Sequence, residues 1–210
     1  MRHDYFAAIE QPVQAYVAGL LAADGNVLER QKRVSLELSH RDLDLVCLVR
    51  DQLAPRFPIR ERVRPNGVHT VVFAITSAQL CGDLAQLGIT PRKSLTLGWP
   101  KRLNEDFARP FLLGYFDGDG FITWSQNRNY RYPRWALLGT GAFLSEAMRV
   151  INAETGIRPR PIHRKAGTRI SALHINGRDA WTVDSWLHAD GELGLTRKRL
   201  VAKLRDASAA

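Results

Sequence analysis

The chain carries Tyr16-Val17-Ala18-Gly19-Leu20-Leu21-Ala22-Ala23-Asp24-Gly25 and, much later, Phe111-Leu112-Leu113-Gly114-Tyr115-Phe116-Asp117-Gly118-Asp119-Gly120. Both stretches are apolar, and in both a glycine or an alanine recurs at every fourth position. Residues four apart share one face of a helix. Each stretch therefore predicts an α-helix with a smooth stripe on which a second backbone can pack closely.

Both stretches end in Asp-Gly, at Asp24-Gly25 and at Asp119-Gly120. Gly is the usual residue just past a helix end, so the two acids are predicted at helix C-termini, where the macrodipole disfavours a negative charge. If the two stripes pack on each other, the two carboxylates also converge. Two mutually repelling acids at two negative helix ends favour divalent cations between them.

The two stretches resemble the motif of the LAGLIDADG homing endonucleases, in the single-chain form that carries two motifs. The first copy departs from the motif by having Ala22 where the second copy has the inner acid Asp117. The terminal acid is the family's metal ligand, and both copies keep it, so the departure affects a helix-end contact and not the active site. The matching residues are Gly19, Asp24, Gly25, Gly114, Asp117, Asp119 and Gly120.

These stretches have two other interpretations. Either stretch alone is also compatible with an ordinary buried helix whose last Asp begins a turn, but two copies in register in 210 residues favour the resemblance. A calcium loop that begins at Asp117 is excluded. An EF-hand needs Asp or Asn, Gly and Glu at positions where this chain has Phe121, Ile122 and Arg128.

Length and composition exclude several classes of protein. With 210 residues, 45% of them hydrophobic, the chain can form one large domain or two small ones around a core. The two cysteines, Cys47 and Cys81, predict neither a disulfide nor a zinc site. No apolar run approaches the length of a membrane span, and no signal peptide opens the sequence. We therefore expect an intracellular soluble protein of a prokaryotic cytoplasm or nucleoid, or of an organelle.

The charge of the chain indicates a polyanionic partner. The formal net charge is +9 and the pI about 10.1. Between Phe121 and Arg178 the sequence has ten Arg or Lys residues and only two acids, Glu146 and Glu154, both in a predicted helix. The strands predicted around that helix are therefore purely basic, which favours a shaped basic surface.

The chain is predicted to consist of two related halves, residues 1–103 and 104–210. A second pair of similar segments, which we call the second echo, supports the repeat. Its first member is Leu87-Gly88-Ile89-Thr90-Pro91-Arg92-Lys93, and its second is Leu193-Gly194-Leu195-Thr196-Arg197-Lys198. A repeat of this length indicates duplicated supersecondary units. Residues 90–103, which include Gly98-Trp99-Pro100, form the predicted linker within the first half.

After each motif helix, the hydrophobic pattern predicts two strands, a helix, two more strands and a final helix or helices. In the first half the predicted strands are 26–30, 33–39, 58–64 and 68–76, and the helices are 41–54 and 77–87. In the second half the predicted strands are 121–125, 134–139, 158–164 and 168–175, and the helices are 142–154, 179–188 and 196–206.

The α-β-β-α-β-β-α order of each half is the unit of the resembled family. The resemblance implies an α+β fold of two pseudo-symmetric halves, with the motif helices packed at the centre and two antiparallel sheets that form a DNA-binding saddle. It also implies an intron-encoded monomer that acts as a pseudo-dimer on a long, pseudo-palindromic duplex.

Hydrolysis of a phosphodiester needs a positioned water, an electrophile on the phosphate and stabilisation of the departing oxygen, and divalent metals held by carboxylates provide all three. Asp24 and Asp119 are the predicted metal ligands, one for each scissile phosphate. The resemblance implies a metal shared between them. Mg²⁺ suits so sparse a site because it keeps several waters, and Mn²⁺ or Ca²⁺ is expected to substitute for binding.

The family also places a basic residue near each acid. Lys93 and Lys198 are the candidates because they occupy matching positions in the second echo. Each is expected to polarise the attacking water or to neutralise the transition-state phosphate. The alternative is that both are helix-start or linker charges that contact solvent or distant phosphates.

Specific binding is expected from the sheets, because a two-stranded ribbon fits the major groove of DNA. Arg60, Arg62 and Arg64 alternate along one predicted strand and so share a face. Arg158, Arg160 and Arg164 have a similar alternating spacing in the second half. Arginine binds guanine edges and phosphates alike, so both roles stay open. The predicted DNA contacts are Arg30, Lys32, Arg60, Arg62, Arg64, Arg128, Arg131, Arg134, Arg158, Arg160, Arg164 and Arg169.

The sequence thus predicts a metal-dependent, site-specific DNA endonuclease that cuts both strands. The alternative is a nucleic-acid-binding protein on the same scaffold that no longer cuts, such as an intron maturase or a transcription regulator. The presence of both Asp24 and Asp119 favours the nuclease, because a pure binder has no chemical need for either acid.

Overall fold

The computed structural model describes residues 1–127, 130–164, 166–189, 191 and 193–200. Its α-helices are α1 (Pro12–Ala23), α2 (Leu43–Leu53), α3 (Ala78–Gln86), α4 (Ala108–Asp119), α5 (Gly141–Thr155) and α6 (Arg178–Leu187). Its strands are β1 (Gly25–Leu28), β2 (Arg33–Ser39), β3 (Arg60–Val63), β4 (His69–Thr76), β5 (Gly120–Asn127), β6 (Tyr130–Gly139), β7 (Ile162–Arg164) and β8 (Ser171–Asn176). Within these ranges, no helix combines the length and the apolar character needed to cross a membrane.

The strands form two antiparallel sheets of the same topology, in the orders β1-β2-β4-β3 and β5-β6-β8-β7. Each half runs α-β-β-α-β-β-α, so the predicted α+β architecture is confirmed. One face of each sheet carries core residues, such as Val71 and Phe73 of β4 and Leu173 and Ile175 of β8. The residues that alternate with them lie on the opposite face, which we call the non-core face.

Local sequence accounts for several helix ends. Pro12 occupies the first position of α1, where its missing N–H costs nothing. Ser77 and Thr140 cap α3 and α5, because their side chains accept hydrogen bonds from backbone N–H groups three residues later. Gly156 ends α5 in the left-handed conformation, with φ of 70°. These signals are short-range, and the predicted bounds of α3 and α5 agree closely with the observed ones.

Three predicted elements differ from the structure. The strand predicted at 158–164 is confined to β7, because Pro159 and Pro161 lack the N–H groups that a ladder needs. The strand predicted from residue 134 begins earlier, at Tyr130. Of the helix predicted at 196–206, Thr196–Lys198 forms a 3₁₀ helix, and residues 201–210 lie outside the described residues.

Candidate active site between the motif helices

Helices α1 and α4 approach each other closely because glycines face across their contact. A Cβ atom on Gly19 would lie 1.9 Å from the carbonyl oxygen of Phe111, and one on Gly114 would lie 2.0 Å from that of Tyr16. Any side chain at either glycine would therefore push the helices apart. The small-residue stripes form the contact itself, and it brings the C-termini of the two helices together.

Asp24 and Asp119 line one cleft at these C-termini. Asp24 is the C-cap residue of α1, and Asp119 is the last residue of α4. The cleft has a volume of about 350 Å³, and Lys93 and Tyr115 line it together with the two acids. The structure thus brings together the two carboxylates that the sequence pattern placed at separate helix ends.

The electrostatics of the cleft oppose a second negative charge. Desolvation by the cleft walls and repulsion from Asp119 raise the pKa of Asp24 from 3.8 to about 6. Desolvation raises the pKa of Asp119 as well, against the lowering effects of Lys93, of a hydrogen bond from Tyr115 and of Lys198. Asp24 is nevertheless an exposed residue, so the walls crowd its carboxylate without sealing it from solvent and ions.

The two acids fit a divalent cation. Carboxylate oxygens are the ligands that Mg²⁺ and Ca²⁺ prefer. A dication held by Asp24 and Asp119 would cancel the repulsion that raises the pKa of Asp24. The C-terminal ends of α1 and α4 add partial negative charge on the same side. The donor set and its charge therefore suit a divalent cation.

Lys93 and Lys198 come from matching segments but make different contacts. The Nζ atom of Lys93 donates to the carbonyl oxygen of Ala23 at 2.8 Å, its one hydrogen-bond acceptor among the described residues. The Nζ atom of Lys198 lies 2.5–3.1 Å from the carbonyl oxygens of Phe116, Asp117, Gly118 and Gly120. An ammonium has three N–H groups, so Lys198 is fully engaged at the end of α4, whereas Lys93 keeps donors to spare. Burial lowers the pKa of both lysines.

The inner acid of the second motif makes a contact that the sequence did not predict. Oδ2 of buried Asp117 accepts hydrogen bonds from the hydroxyl of Tyr16 at 2.6 Å and from the backbone N–H of Leu195 at 2.9 Å. Because Tyr16 belongs to α1, this bond joins the two halves. Asp117 corresponds to Ala22 in the first motif, so the contact exists on one side of the pseudo-twofold axis.

An ion pair forms a second link between the halves. The guanidinium of Arg197 donates to both carboxylate oxygens of Asp42, with Nη2 at 2.7 Å from each. Asp42 ends the 3₁₀ helix that precedes α2, and Arg197 directly precedes Lys198. The pair therefore anchors the segment that carries Lys198. No sequence signal marked it, since its members are 155 residues apart.

In the first half, the predicted arginines at and beside β3 share the non-core face. Arg60 and Arg62 of β3 lie opposite residues of β4 that alternate with the core positions. Glu37 of β2 lies on the same face, where its carboxylate is 2.9 Å from Nη2 of Arg64 and 3.7 Å from Nη1 of Arg62. The surface is thus a row of arginines with one acid among them, and the sequence pattern did not indicate that acid.

In the second half, Arg134 and Arg131 lie on opposite faces of β6. Arg134 occupies the non-core face, where its Nε donates to Oδ1 of Asn176 at 3.1 Å. Arg131 is three residues away and lies on the other face, with its guanidinium carbon 5.5 Å from the ring centre of Trp124. The alternation of a strand separates the two arginines, so of the two only Arg134 lies on the non-core face.

The predicted alternation of Arg158, Arg160 and Arg164 is wrong. Arg158 and Arg160 precede β7, and Arg160 forms an ion pair with Asp179 in the first turn of α6. Arg164 lies opposite Ser171, which is on the core-facing side of β8. The prolines that shorten β7 account for the difference. Of the remaining predicted contacts, Arg30, Lys32 and Arg169 are exposed outside the strands, and Arg128 lies outside the described residues.

The raised pKa of Asp24 predicts a pH-dependent response of stability to divalent cations. In metal-free buffer the folded chain holds a proton on Asp24 more tightly than the unfolded chain, so stability should fall as pH rises from 3.8 to about 6. Mg²⁺ or Ca²⁺ should restore it above this window, because the ions bind the ionised acid. We expect a larger metal-induced rise in Tm above the window than below it. An equal rise at both pH values, or an equal rise in Asp24→Asn, would contradict this assignment.

No protein-family model and no curated protein sequence matches the chain at a significant level. Solved structures that match most of the chain include LAGLIDADG homing endonucleases. I-WcaI bound to its DNA recognition sequence has a TM-score of 0.60 at 15% identity, over 94% of this chain and 90% of that one. I-DmoI in complex with DNA and Ca has 0.58 at 18% identity, over 93% and 97%. I-SmaMI bound to cleaved DNA has 0.55 at 13%, over 89% and 85%. The chain therefore has the fold of the LAGLIDADG homing endonucleases, as the resemblance implied.

Proposed function

We propose that this protein is a site-specific DNA endonuclease that hydrolyses a phosphodiester in each strand of a duplex. One observation carries the proposal. Two acids from two different helices face one cleft, where repulsion and desolvation raise the pKa of Asp24 to about 6. Such an arrangement disfavours the ionised acid in the absence of a cation, and it lies at the centre of a fold whose solved examples include proteins bound to DNA.

Asp24 and Asp119 would hold the divalent cation, with Mg²⁺ as the proposed ion and Mn²⁺ or Ca²⁺ as substitutes for binding. Bound there, the ion supplies Lewis acidity toward the phosphate and an activated water. Lys93 is the residue we assign to the reaction itself, because it lines the cleft and retains free N–H groups to place on the attacking water or on a phosphate oxygen. Lys198 has the role of a cap that neutralises the end of α4.

The two halves, residues 1–103 and 104–210, would each contribute one sheet and one acid. A monomer of this kind acts as a pseudo-dimer and suits a long, pseudo-palindromic target, in a prokaryotic cell or an organelle and from an intron-encoded gene. The face that carries Arg60 and Arg62 is the proposed DNA surface of the first half. Arg134 marks the corresponding face of the second half.

The test is incubation of the purified chain with a randomised duplex library and Mg²⁺, followed by sequencing of the cut ends. We expect one preferred long site that is cut in both strands. A parallel reaction with Ca²⁺ should show binding without cutting. Chelator should abolish cutting but leave binding largely intact, because affinity comes mostly from the basic surface. Selective retention of one site without cut ends in any divalent metal would favour the alternative, a non-cleaving DNA- or RNA-binding protein.

Replacement of Arg60 by alanine should weaken target binding by about 1–3 kcal/mol, because the side chain lies on the proposed DNA face. A base contact would relax preference at one position of the site, whereas a phosphate contact would weaken all sequences alike. Arg149→Ala is the matched control, since Arg149 is an exposed arginine on α5, paired with Glu146. Fluorescence anisotropy with the selected target measures both. Equal affinity of Arg60→Ala and Arg149→Ala would remove this face from the proposal.

A further inference from the structure

Three side chains that can bind a metal converge at an exposed part of the first half, and none of them belongs to the cleft. His40 lies in the 3₁₀ helix before α2, Glu61 lies in β3 and His69 lies in β4. Their ligand atoms all lie within 4.8 Å of one another. Glu61 and His69 occupy the core-facing side of the sheet, so the cluster is on the face opposite to the arginines of β3.

The distances between the ligand atoms of the cluster are close to those in a metal site. Nε2 of His69 lies 3.0 Å from Oε2 of Glu61, and Nε2 of His40 lies 3.7 Å from Oε1 of the same carboxylate. The two imidazole rings stack, with centroids 4.3 Å apart, so one ring must rotate before both nitrogens can bind the same ion. Ligand atoms around tetrahedral Zn²⁺ are about 3.4 Å apart, given bonds of about 2.1 Å. The two measured separations lie on either side of that value.

We propose that His40, Glu61 and His69 form a binding site for a transition metal ion of the Zn²⁺ class. Two imidazole nitrogens and one carboxylate suit Zn²⁺ better than Mg²⁺, which prefers oxygen ligands alone. The side chains are 40–59% exposed, so an ion can enter and water can complete its coordination. A hydrogen bond to Glu61 by itself accounts for the orientation of His69. His40 also approaches the other carboxylate oxygen of Glu61, and it thereby supplies the third ligand.

The site would tie together the 3₁₀ helix before α2, β3 and β4. β3 is an edge strand that pairs with β4 alone, and all four of its residues are exposed. An ion held by His40, Glu61 and His69 would fasten this strand and its hairpin to the start of α2. The arginines of β3 lie on the other face of the same strand, so the ion would fix the position of that row without touching it.

The experiment is calorimetric titration of tag-free, chelator-treated chain with Zn²⁺. We expect one ion per chain at this site and affinity at least about tenfold lower in His40→Ala and in His69→Ala. His163→Ala is the matched control, since His163 belongs to the other histidine pair, with His174, and should bind as the unaltered chain does. Amide hydrogen exchange should slow in residues 60–69 when Zn²⁺ is added.

The acids of the cleft are a second possible Zn²⁺ site, so the titration is repeated with the Asp24→Asn, Asp119→Asn double variant. If the double variant still binds Zn²⁺ and His69→Ala does not, the result supports the proposed site. The proposal is overturned if the double variant no longer binds Zn²⁺, if His40→Ala and His69→Ala bind like His163→Ala, or if the unaltered chain binds no Zn²⁺. None of these outcomes depends on DNA cleavage.

Discussion

Cleavage of a plasmid that carries the target site should fall by at least about 10³-fold when Asp24 or Asp119 is replaced by asparagine. Each replacement keeps the size of the side chain but removes a charge that holds the divalent cation. Binding of DNA depends mostly on basic surface and on counterion release. Affinity for the target should therefore persist, and in metal-free buffer it should rise, because one negative charge next to the phosphates is gone.

The assay is a supercoiled plasmid with Mg²⁺, scored for nicked and linear product. A metal shared between the acids predicts that either single variant loses cutting of both strands, whereas independent metals predict nicked product. Asp44→Asn is the matched control, because Asp44 is an exposed acid in the first turn of α2 and should cleave normally. Full linearisation by the double variant Asp24→Asn, Asp119→Asn would refute the catalytic assignment.

The second large effect is expected from Gly114→Ala, which should lower the free energy of unfolding by at least about 3 kcal/mol. The added methyl group would lie 2.0 Å from the carbonyl oxygen of Tyr16 and 2.9 Å from the backbone nitrogen of Leu20. Both are main-chain atoms of α1, so no side-chain rotation relieves the clash and the helices must separate. Gly19→Ala should act in the same way, because its methyl would lie 1.9 Å from the carbonyl oxygen of Phe111.

Urea unfolding measures this effect, and α3 offers a matched control. Gly82 is also a helical glycine, but a Cβ atom there would meet nothing within 4 Å. Gly82→Ala should therefore stabilise the chain by about 0.5–1 kcal/mol through helix propensity. Equal midpoints for Gly114→Ala and the unaltered chain would mean that the two backbones do not touch as described.

Short-range patterns were sufficient to predict the elements and the order of the fold. The repeat of small residues gave α1 and α4, and hydrophobic periodicity gave the strands and helices between them, because each signal depends on neighbours within a few positions. The prolines at 159 and 161 were visible in the sequence too. The prediction of a long strand there was wrong because it followed the general pattern of the segment and neglected the missing N–H groups of the prolines.

The candidate site was predictable in part. Asp24, Asp119 and the two lysines follow from motifs that occur twice, and the structure places all four near the ends of the motif helices. The different contacts of Lys93 and Lys198 could not be predicted, because similar segments can lie in different surroundings. The hydrogen bond between Tyr16 and Asp117 spans 101 residues of sequence. Nothing in the pattern of either helix indicates that these two side chains meet.

The unequal motif helices also decide which halves can associate. A symmetric dimer of two first halves would set Ala23 against Ala23, although a Cβ atom at the corresponding Gly118 already lies 2.3 Å from that of Ala23. A symmetric dimer of two second halves would set Asp117 against Phe111, which has no hydroxyl to replace that of Tyr16. Either symmetric dimer would therefore be less stable than the contact between the two unlike helices, and this difference favours pairing of the two halves of one chain.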